Sequence, residues 1–403
     1  MDLHRPAAGT AAPAPVRSGD AWRARFAVVV LAAFVVVGIA VIGPQTGVFP
    51  GSEMASDPLQ YRDRMEAIFD GAVPYVEADF EHLPVNLVPM ALAWVAGGSR
   101  GDFAYWVVFA LLMVAALYLL TESLAVIGSA LGDGRTALRW LAIAGPLFPL
   151  VIARNDPLVT VLAVLAARLW IERGRRGADV LLVGAVLAKG WPLVMLADAW
   201  WRGRRRAALV IGAVSITMVG AVSLTDGFRE TRAFRGVHTE SLAGGVLGLV
   251  RVVRGEGLGM ISTAGARYLD APGWMRAAGL LVGLALAAAA LGALRADYSA
   301  RRAFTLTGAL VGAVLVMSPL LSPQFVLWIL PFVALAADRP GVRLAFGVSG
   351  LSMVLIAYWR VMEAGAAWWW LTLNMRNVLL LALAVRLVSV AAGDRRTPTG
   401  AAG

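Results

Sequence analysis

From Phe26 onward, long apolar runs alternate with short polar breaks that carry most of the arginines. The run from Phe26 to Ile42 follows Arg23 and Arg25, and no small-residue cleavage site follows it. It therefore reads as an uncleaved signal anchor, its amino end held in the cytoplasm by the arginines. Further spans are predicted near 84–98, 103–125, 136–153, 156–171, 178–200, 206–225, 276–295, 303–318, 323–338, 342–359 and 375–391. Several are short against the roughly 20 residues a helix needs to cross a bilayer. The pattern predicts an all-α, polytopic membrane protein with about 10–12 transmembrane helices. Residues 22–392 form its membrane domain, with a first extracytoplasmic loop over 43–83. Residues 1–21, rich in Ala, Pro and Arg, and residues 393–403 are expected to be cytoplasmic tails, the first disordered.

Charge assigns the sides. Asp394-Arg395-Arg396, Arg339 to Arg343 and Arg295 to Arg302 belong inside, because basic loops stay in the cytoplasm. That places 226–245, 319–323 and 359–374 outside. The loop 43–83 agrees, with eight acidic residues against Arg62 and Arg64. The middle resists this rule. Arg173, Arg175 and Arg176 want the cytoplasm, and so do Arg202 and Arg204 to Arg206, yet one span separates them. Either that span breaks at Lys189-Gly-Trp-Pro192 into two half-helices, or both segments cross plainly and the charge rule fails. A matching break at Gly145-Pro146 and Pro149 would put Arg154-Asn-Asp156 outside. Broken helices line polar cavities, because their freed backbone groups need partners.

Composition narrows the class. The chain has 403 residues, 59% of them hydrophobic, a mean hydropathy of +0.72 and only 15% charged residues, whereas a soluble domain carries about a quarter. Cysteine is absent, which excludes disulfides, thiolate metal sites and a cysteine nucleophile. The net charge of +10 lies in the short loops between apolar runs, so nucleic-acid binding is excluded as its purpose.

Candidate chemistry concentrates outside. Asp57-Pro58 has helix-start chemistry and Gly71 a helix-stop position. Between them Pro58, Tyr61, Met65, Ile68 and Phe69 form one apolar stripe, predicting an amphipathic helix on the membrane surface. Asp57 is either an ordinary cap or a base for a bound hydroxyl. Asp79, Glu81 and His82 are placed to bind hydroxyls or steady a cation, in a pattern too loose for a metal site. Asp156 begins an apolar helix, which makes it a cap or a site group. Lys189, the only lysine, sits inside an apolar run, where an ammonium costs about 2.5–3.5 kcal/mol. It needs an anion or a wet cavity unless it reaches an interface. Arg232 and Arg235, with His238 and Glu240, carry cations onto the outer face; phosphate binding explains them, as does simple solvation. Gln324, between two spans, is a sugar-binding candidate. Trp368, Trp369 and Trp370 read as an interfacial belt.

The order of these motifs resembles the GT-C membrane glycosyltransferases, and most closely glycosyltransferase family 87. Asp57 and Tyr61 match an Asp with a Tyr four residues later in the first outer loop. Gly71 to Tyr75 matches a Gly-x-x-Pro-Tyr step. Glu81-His82-Leu83-Pro84 stands where the family has acid-Tyr-Pro-Pro. Asn155-Asp156, Lys189 to Pro192, Arg235 to Ser241 and Ser322 to Phe325 match further steps, over roughly residues 50–340. The resemblance implies an inverting transferase at the extracytoplasmic face of the cell membrane. It would move a sugar, most often mannose, from a polyprenyl-phosphate donor to a glycolipid or glycan acceptor, without cofactor or metal. Asp57 would be the base, with Tyr61, Asp79, Glu81, His82, Asp156, Lys189, Arg235, His238, Glu240 and Gln324 binding substrate. Arabinofuranose transfer fits the same resemblance. A transporter or lipid flippase is the alternative from another class, although no internal repeat supports it; a non-catalytic subunit of an envelope complex is a second.

Overall fold

Asp57 and Pro58 begin a helix where the sequence places one: α1 covers Ser56–Phe69, and the Gly71 amide closes it by donating to Ile68 O at 3.1 Å. The computed structural model describes residues 56–393, apart from 78–79, 81, 173–175, 202, 227, 230–235, 264–265, 294–298 and 337, together with 23, 25, 27 and 28. Both predicted tails except Gly393, nearly all of the predicted anchor, and Asp79, Glu81, Arg232 and Arg235 lie outside the described residues.

The first part of the apolar stripe of α1 docks on protein, while Phe69 at its end is exposed. Pro58, Tyr61 and Met65 are buried, and the last two pack with Phe80, Met90, Tyr105, Phe109 and Met113. Their partners lie chiefly on α2 (Leu87–Gly97) and α3 (Asp102–Ala130). Arg62 adds an ion pair to Asp102 at 2.9 Å. Amphipathicity is the same for a helix lying on lipid and one docked on protein, so the stripe alone does not reveal this docking.

The 29 residues of α3 span about 44 Å at 1.5 Å per residue and separate two faces. At its far end Asp133 pairs with Arg139 at 2.9 Å, and Arg139 also donates to Ala334 O at 2.6 Å. Among the described residues, six helices are long and apolar enough to cross a membrane: α3, α9 (Arg205–Ser223), α11 (Gly273–Gly292), α12 (Ala300–Met317), α14 (Arg339–Ala357) and α16 (Ala367–Gly393). The molecule is thus an all-α, polytopic membrane protein. α12 is the most enclosed of the six, while α9 and α11 bury little and turn Leu209, Val210, Ile216 and Leu281 outward.

The middle of the chain breaks twice. α4 (Thr136–Ala144) runs through a 3₁₀ turn at Gly145–Leu147 into the short α5 (Phe148–Val151), because Pro146 and Pro149 cannot continue a helical ladder. α6 (Asp156–Glu172) returns from there. α7 (Arg176–Ala188) has 13 residues, about 20 Å and well under the bilayer core of about 30 Å. It ends at Lys189-Gly190, and a 3₁₀ turn at Trp191–Met195 leads back through α8 (Leu196–Trp201). Arg204, beyond α8, reaches both carboxylate oxygens of Asp179 in the first turn of α7, at 2.7 and 3.0 Å. Both arginine-flanked ends therefore lie together, which is the half-helix alternative.

Residues 246–275, to which the sequence reading assigned no element, build a cap. α10 (Leu242–Val253) is followed by the hairpin β2 (Met260–Thr263) and β3 (Ala266–Leu269). β1 (Val237–His238) completes an antiparallel sheet in the order β1-β3-β2, with Val237 opposite Leu269. α10 packs on α16 at a close approach: a Cβ on Gly248 would stand 2.0 Å from the Trp370 ring. α13 (Leu330–Ala336) and α15 (Trp359–Glu363) complete the chain. The predicted loop 359–374 is thus mostly helical, and Trp369 and Trp370 are fully buried while Trp368 alone is exposed. Two of the three tryptophans are core residues, not a belt. Van der Waals packing of large rings against small residues replaces the hydrophobic drive that helices lack inside lipid.

Candidate active site

A cavity of about 560 Å³ opens at the face marked by α1, opposite the Asp133–Arg139 end. Every predicted outer loop reaches it. Asp57 and Tyr61 come from α1, Arg154, Asn155 and Asp156 from the α5–α6 turn, and Lys189 from the α7 break. His238 lies in β1 and Glu240 follows it, Ser322 and Gln324 precede α13, and Trp359 and Trp369 come from the segment before and at the start of α16. Of the predicted site residues, Asp57, Tyr61, His82, Asp156, Lys189, His238, Glu240 and Gln324 all line it. Asp79, Glu81 and Arg235 lie outside the described residues.

Two ion pairs organise the polar end. Arg154 Nη1 stands 2.9 Å from Asp57 Oδ2. Asp156, 2% exposed, accepts from Lys189 Nζ at 2.9 Å and from Trp328 Nε1 at 2.6 Å. The Lys189 ammonium also lies over the rings of Phe325 and Trp328, 3.9 and 4.8 Å from their centroids. This satisfies the sequence requirement on Lys189: it has an anion, a cavity wall and a cation–π surface. The break behind it is held by Asn86, whose Nδ2 donates to Ala188 O, a terminal carbonyl of α7, at 2.5 Å. Such carbonyls have no partner within the helix.

Tyr61 sits beside His82, with ring centroids 5.1 Å apart. Tyr75, the last residue of the Gly-x-x-Pro-Tyr step, adopts φ +68 and donates its hydroxyl to His82 O at 2.8 Å. That bond closes the end of the first loop on itself, shortly before α2. Gly236, in the Arg-Gly-x-x-x-Glu-Ser step, presses its backbone on β3, since a Cβ would meet Leu269 O at 2.2 Å. Ser241 in the same step caps α10, accepting from Gly244 N at 3.0 Å.

The opposite wall is buried and polar. Burial pushes the Glu240 carboxyl up to about 7, against the pull of Arg376, Arg154, Ser322 and Arg267. Burial likewise pushes His238 down to about 4, partly opposed by its hydrogen bond with the Leu321 backbone. His238 is therefore neutral near pH 7 and enters any phosphate site as a hydrogen-bonding group, not as a cation. Ser322 Oγ donates to Gln324 Oε1 at 2.6 Å. Arg376, fully buried in α16, donates from Nη2 to Glu240 O at 2.9 Å and supports this wall from behind.

The sign of the Glu240 shift has a consequence. A carboxyl raised from 4.5 to about 7 holds its proton more tightly when folded, so it stabilises fully below pH 4.5 and loses that contribution as pH rises through 7. Glu240→Gln is expected to flatten the fall in melting temperature of the detergent-solubilised protein between pH 5 and 8. A slope unchanged from wild type would contradict this.

The sequence reading gave Arg154 and Arg376 no site role, and Asn155 entered it only within the matched Asn155-Asp156 step. Arg154 carried a legible signal, a cation in a segment that the half-helix alternative places on the predicted outer face, which is the argument applied to Arg235. Arg376 stood in plain view as an arginine inside an apolar span. Among the described residues, no group of three or more His, Asp and Glu side chains gathers closely enough to hold a metal ion.

The model of glycosyltransferase family 87 matches residues 84–319, more than half of the chain. The match takes in Asp156, Lys189, His238 and Glu240, while Asp57 precedes it and Gln324 follows it. No curated protein and no solved structure matches the chain. With a polar cavity bounded by the matched segments at one face of an all-helical membrane bundle, the chain belongs to glycosyltransferase family 87 and is a glycosyltransferase.

Proposed function

We propose that this glycosyltransferase moves a sugar, mannose in the first instance, from a polyprenyl-phosphate donor to a glycolipid or glycan acceptor at the extracytoplasmic face of the cell membrane. The observation that carries the reading is the convergence of Asp57, Arg154, Asp156 and Lys189 on one cavity at the end of the bundle away from the arginine clusters. By the positive-inside rule that end faces outward, where nucleotide sugars are not made and a membrane-borne donor supplies the sugar.

In the proposed step the acceptor hydroxyl oxygen attacks the anomeric carbon as the bond from that carbon to the phosphate oxygen breaks. The hydroxyl proton passes to the Asp57 carboxylate, and the electron pair leaves with the polyprenyl phosphate. Attack from the face opposite the leaving group inverts the anomeric centre. Arg154 fixes the Asp57 carboxylate, and Lys189, held by Asp156, offers positive charge to the departing phosphate. A monophosphate leaving group is within the reach of such cations. Tyr61, His82, His238, Glu240 and Gln324 supply hydrogen bonds around the sugars; Glu81 and Arg235 are assigned supporting contacts by their place in the matched steps, and Asp79 by its closeness in sequence to Glu81 and His82.

The test is transfer of radiolabel in membranes of a strain lacking the endogenous enzyme, supplied with polyprenyl-phosphate mannose or polyprenyl-phosphate arabinose. Label entering a lipid or glycan from the mannose donor is expected. Label from the arabinose donor alone would move the proposal to arabinofuranose transfer. Transfer only from a nucleotide sugar would overturn the donor assignment.

A further inference from the structure

Arg267 reaches the cavity from the cap. It lies on β3 opposite Ser262 of β2, and its backbone carbonyl accepts from Thr239 N at 3.0 Å. The strand is thereby fixed to the segment that carries His238 and Glu240. The guanidinium is held twice. Its Cζ stands 4.0 Å from the centroid of the Trp359 ring, and its Nε donates to Glu363 Oε1 at 2.6 Å; both partners belong to α15. Arg267 and Trp359 line the cavity, whereas Glu363 does not. The clamp therefore takes the Nε edge from outside, and the edge formed by Nη1 and Nη2 is left over. Those two groups meet no acceptor among the described residues. They are also accessible: neither is a buried atom lacking a partner, and the side chain keeps 27% of its surface exposed.

Charge points the same way. Among the described residues, Arg154, Lys189 and Arg267 are the arginine and lysine side chains of the lining. Arg154 and Lys189 are paired with Asp57 and Asp156, which line the cavity with them. The carboxylate paired with Arg267 stands outside the lining, so its positive charge is less compensated from within. A guanidinium is a planar fork of donors that stays charged, and two parallel N–H groups match two oxygens of a phosphate. Stacking and the Nε clamp fix the fork before any ligand arrives, which lowers the ordering cost of binding. We infer that Arg267 is an oxyanion-binding residue of this cavity, gripping two oxygens of a phosphate group between Nη1 and Nη2 while Trp359 and Glu363 hold the fork in place. The glycosyltransferase reading supplies two lipid-borne sources of that group, the donor phosphate and a phosphate in the acceptor headgroup. The inference rests on that reading for these sources, but its experiment needs no turnover.

The purified full chain and its variants are titrated in neutral detergent and followed by thermal shift. The probes are polyprenyl phosphate against polyprenol, phosphatidic acid against diacylglycerol, and inorganic phosphate. Wild type is expected to bind a phosphate-bearing lipid at least about tenfold tighter than its uncharged counterpart, the effect of one charge-assisted hydrogen bond. Arg267→Met keeps an unbranched chain over Trp359 and should cut that margin about tenfold by the same arithmetic. Arg267→Lys keeps the charge without the paired edge and should recover only part of it. The uncharged lipids should bind all three proteins alike. A margin on polyprenyl phosphate assigns the fork to the donor, and one on phosphatidic acid assigns it to the acceptor headgroup. A response to inorganic phosphate alone, weakened in Arg267→Met, assigns it to a free anion.

The simpler role for Arg267 is to tie β3 to α15 through Glu363. Glu363→Ala cuts that tie and leaves the Nη edge in place. It should keep the phosphate margin within a few-fold of wild type, since an exposed ion pair contributes little. Equal losses in Glu363→Ala and Arg267→Met would show that Arg267 is only a tie and would overturn the inference. So would a wild-type margin in Arg267→Met, or a wild type that responds to no phosphate probe. If radiolabel transfer fails but the margin and its loss are seen, the catalytic reading falls and the assignment of Arg267 stands. If transfer proceeds while Arg267→Met keeps the margin, this inference falls alone.

Discussion

Asp57→Asn is expected to lower sugar transfer by about 10²–10⁴-fold, the range that a positioned general base contributes, while the protein still folds and inserts. The substitution is nearly isosteric, and the amide oxygen of asparagine still accepts from Arg154, which stands 2.9 Å from Asp57 Oδ2. The stripe that docks α1, chiefly Tyr61 and Met65, is untouched. What the variant loses is a group able to take the acceptor's proton as the new glycosidic bond forms. Binding of the donor should therefore persist, and the loss should appear in kcat more than in KM. The measurement is initial-rate transfer in membranes, alongside the melting temperature of the purified variant. Turnover within a few-fold of wild type would remove Asp57 from the base role.

Asp156→Ala should have the largest effect on the integrity of the site. It removes the shared acceptor of Lys189 and Trp328 and leaves a mostly buried ammonium against aromatic rings 3.9 and 4.8 Å away. Breaking a buried pair by deleting one partner typically costs about 3–5 kcal/mol. The 26% exposure of the Lys189 side chain sets the expectation at the lower end. The double variant Asp156→Leu/Lys189→Met removes both charges and should recover much of the lost melting temperature, since an apolar pair of similar volume is often no less stable. It should not recover transfer. Equal melting temperatures for the single and double variants would show that the two side chains are not coupled. Recovered transfer would remove Lys189 from the phosphate role.

These expectations divide in how far the sequence could have reached them. The helix at Ser56–Phe69 was legible because capping, proline placement and a three-to-four-residue apolar period are local signals. So was the need of Lys189 for a partner, since an ammonium in an apolar run is costly whatever surrounds it. Which acid answered was not legible: Asp156 is 33 residues before it. Trp328, 172 residues beyond Asp156, had no mark to distinguish it from any other tryptophan near a helix end. The Trp368 to Trp370 triplet makes the same point in reverse. Its composition fits a headgroup belt, but Trp370 lies instead against the bare backbone of Gly248, a pairing that neither position reveals alone.

What the sequence alone determined is the class of the molecule, an all-helical polytopic membrane protein. Lipid forces each spanning segment to satisfy its own backbone, so apolar length reports helices directly, and arginine placement reports their ends. What only the tertiary structure decided is the site: that α7 turns back at Lys189, that Arg154 reaches Asp57, and that Asp156 takes both Lys189 and Trp328. Those outcomes depend on distant segments competing for the same polar partners in a low-dielectric interior, where each pairing is settled by packing and not by anything local to either residue.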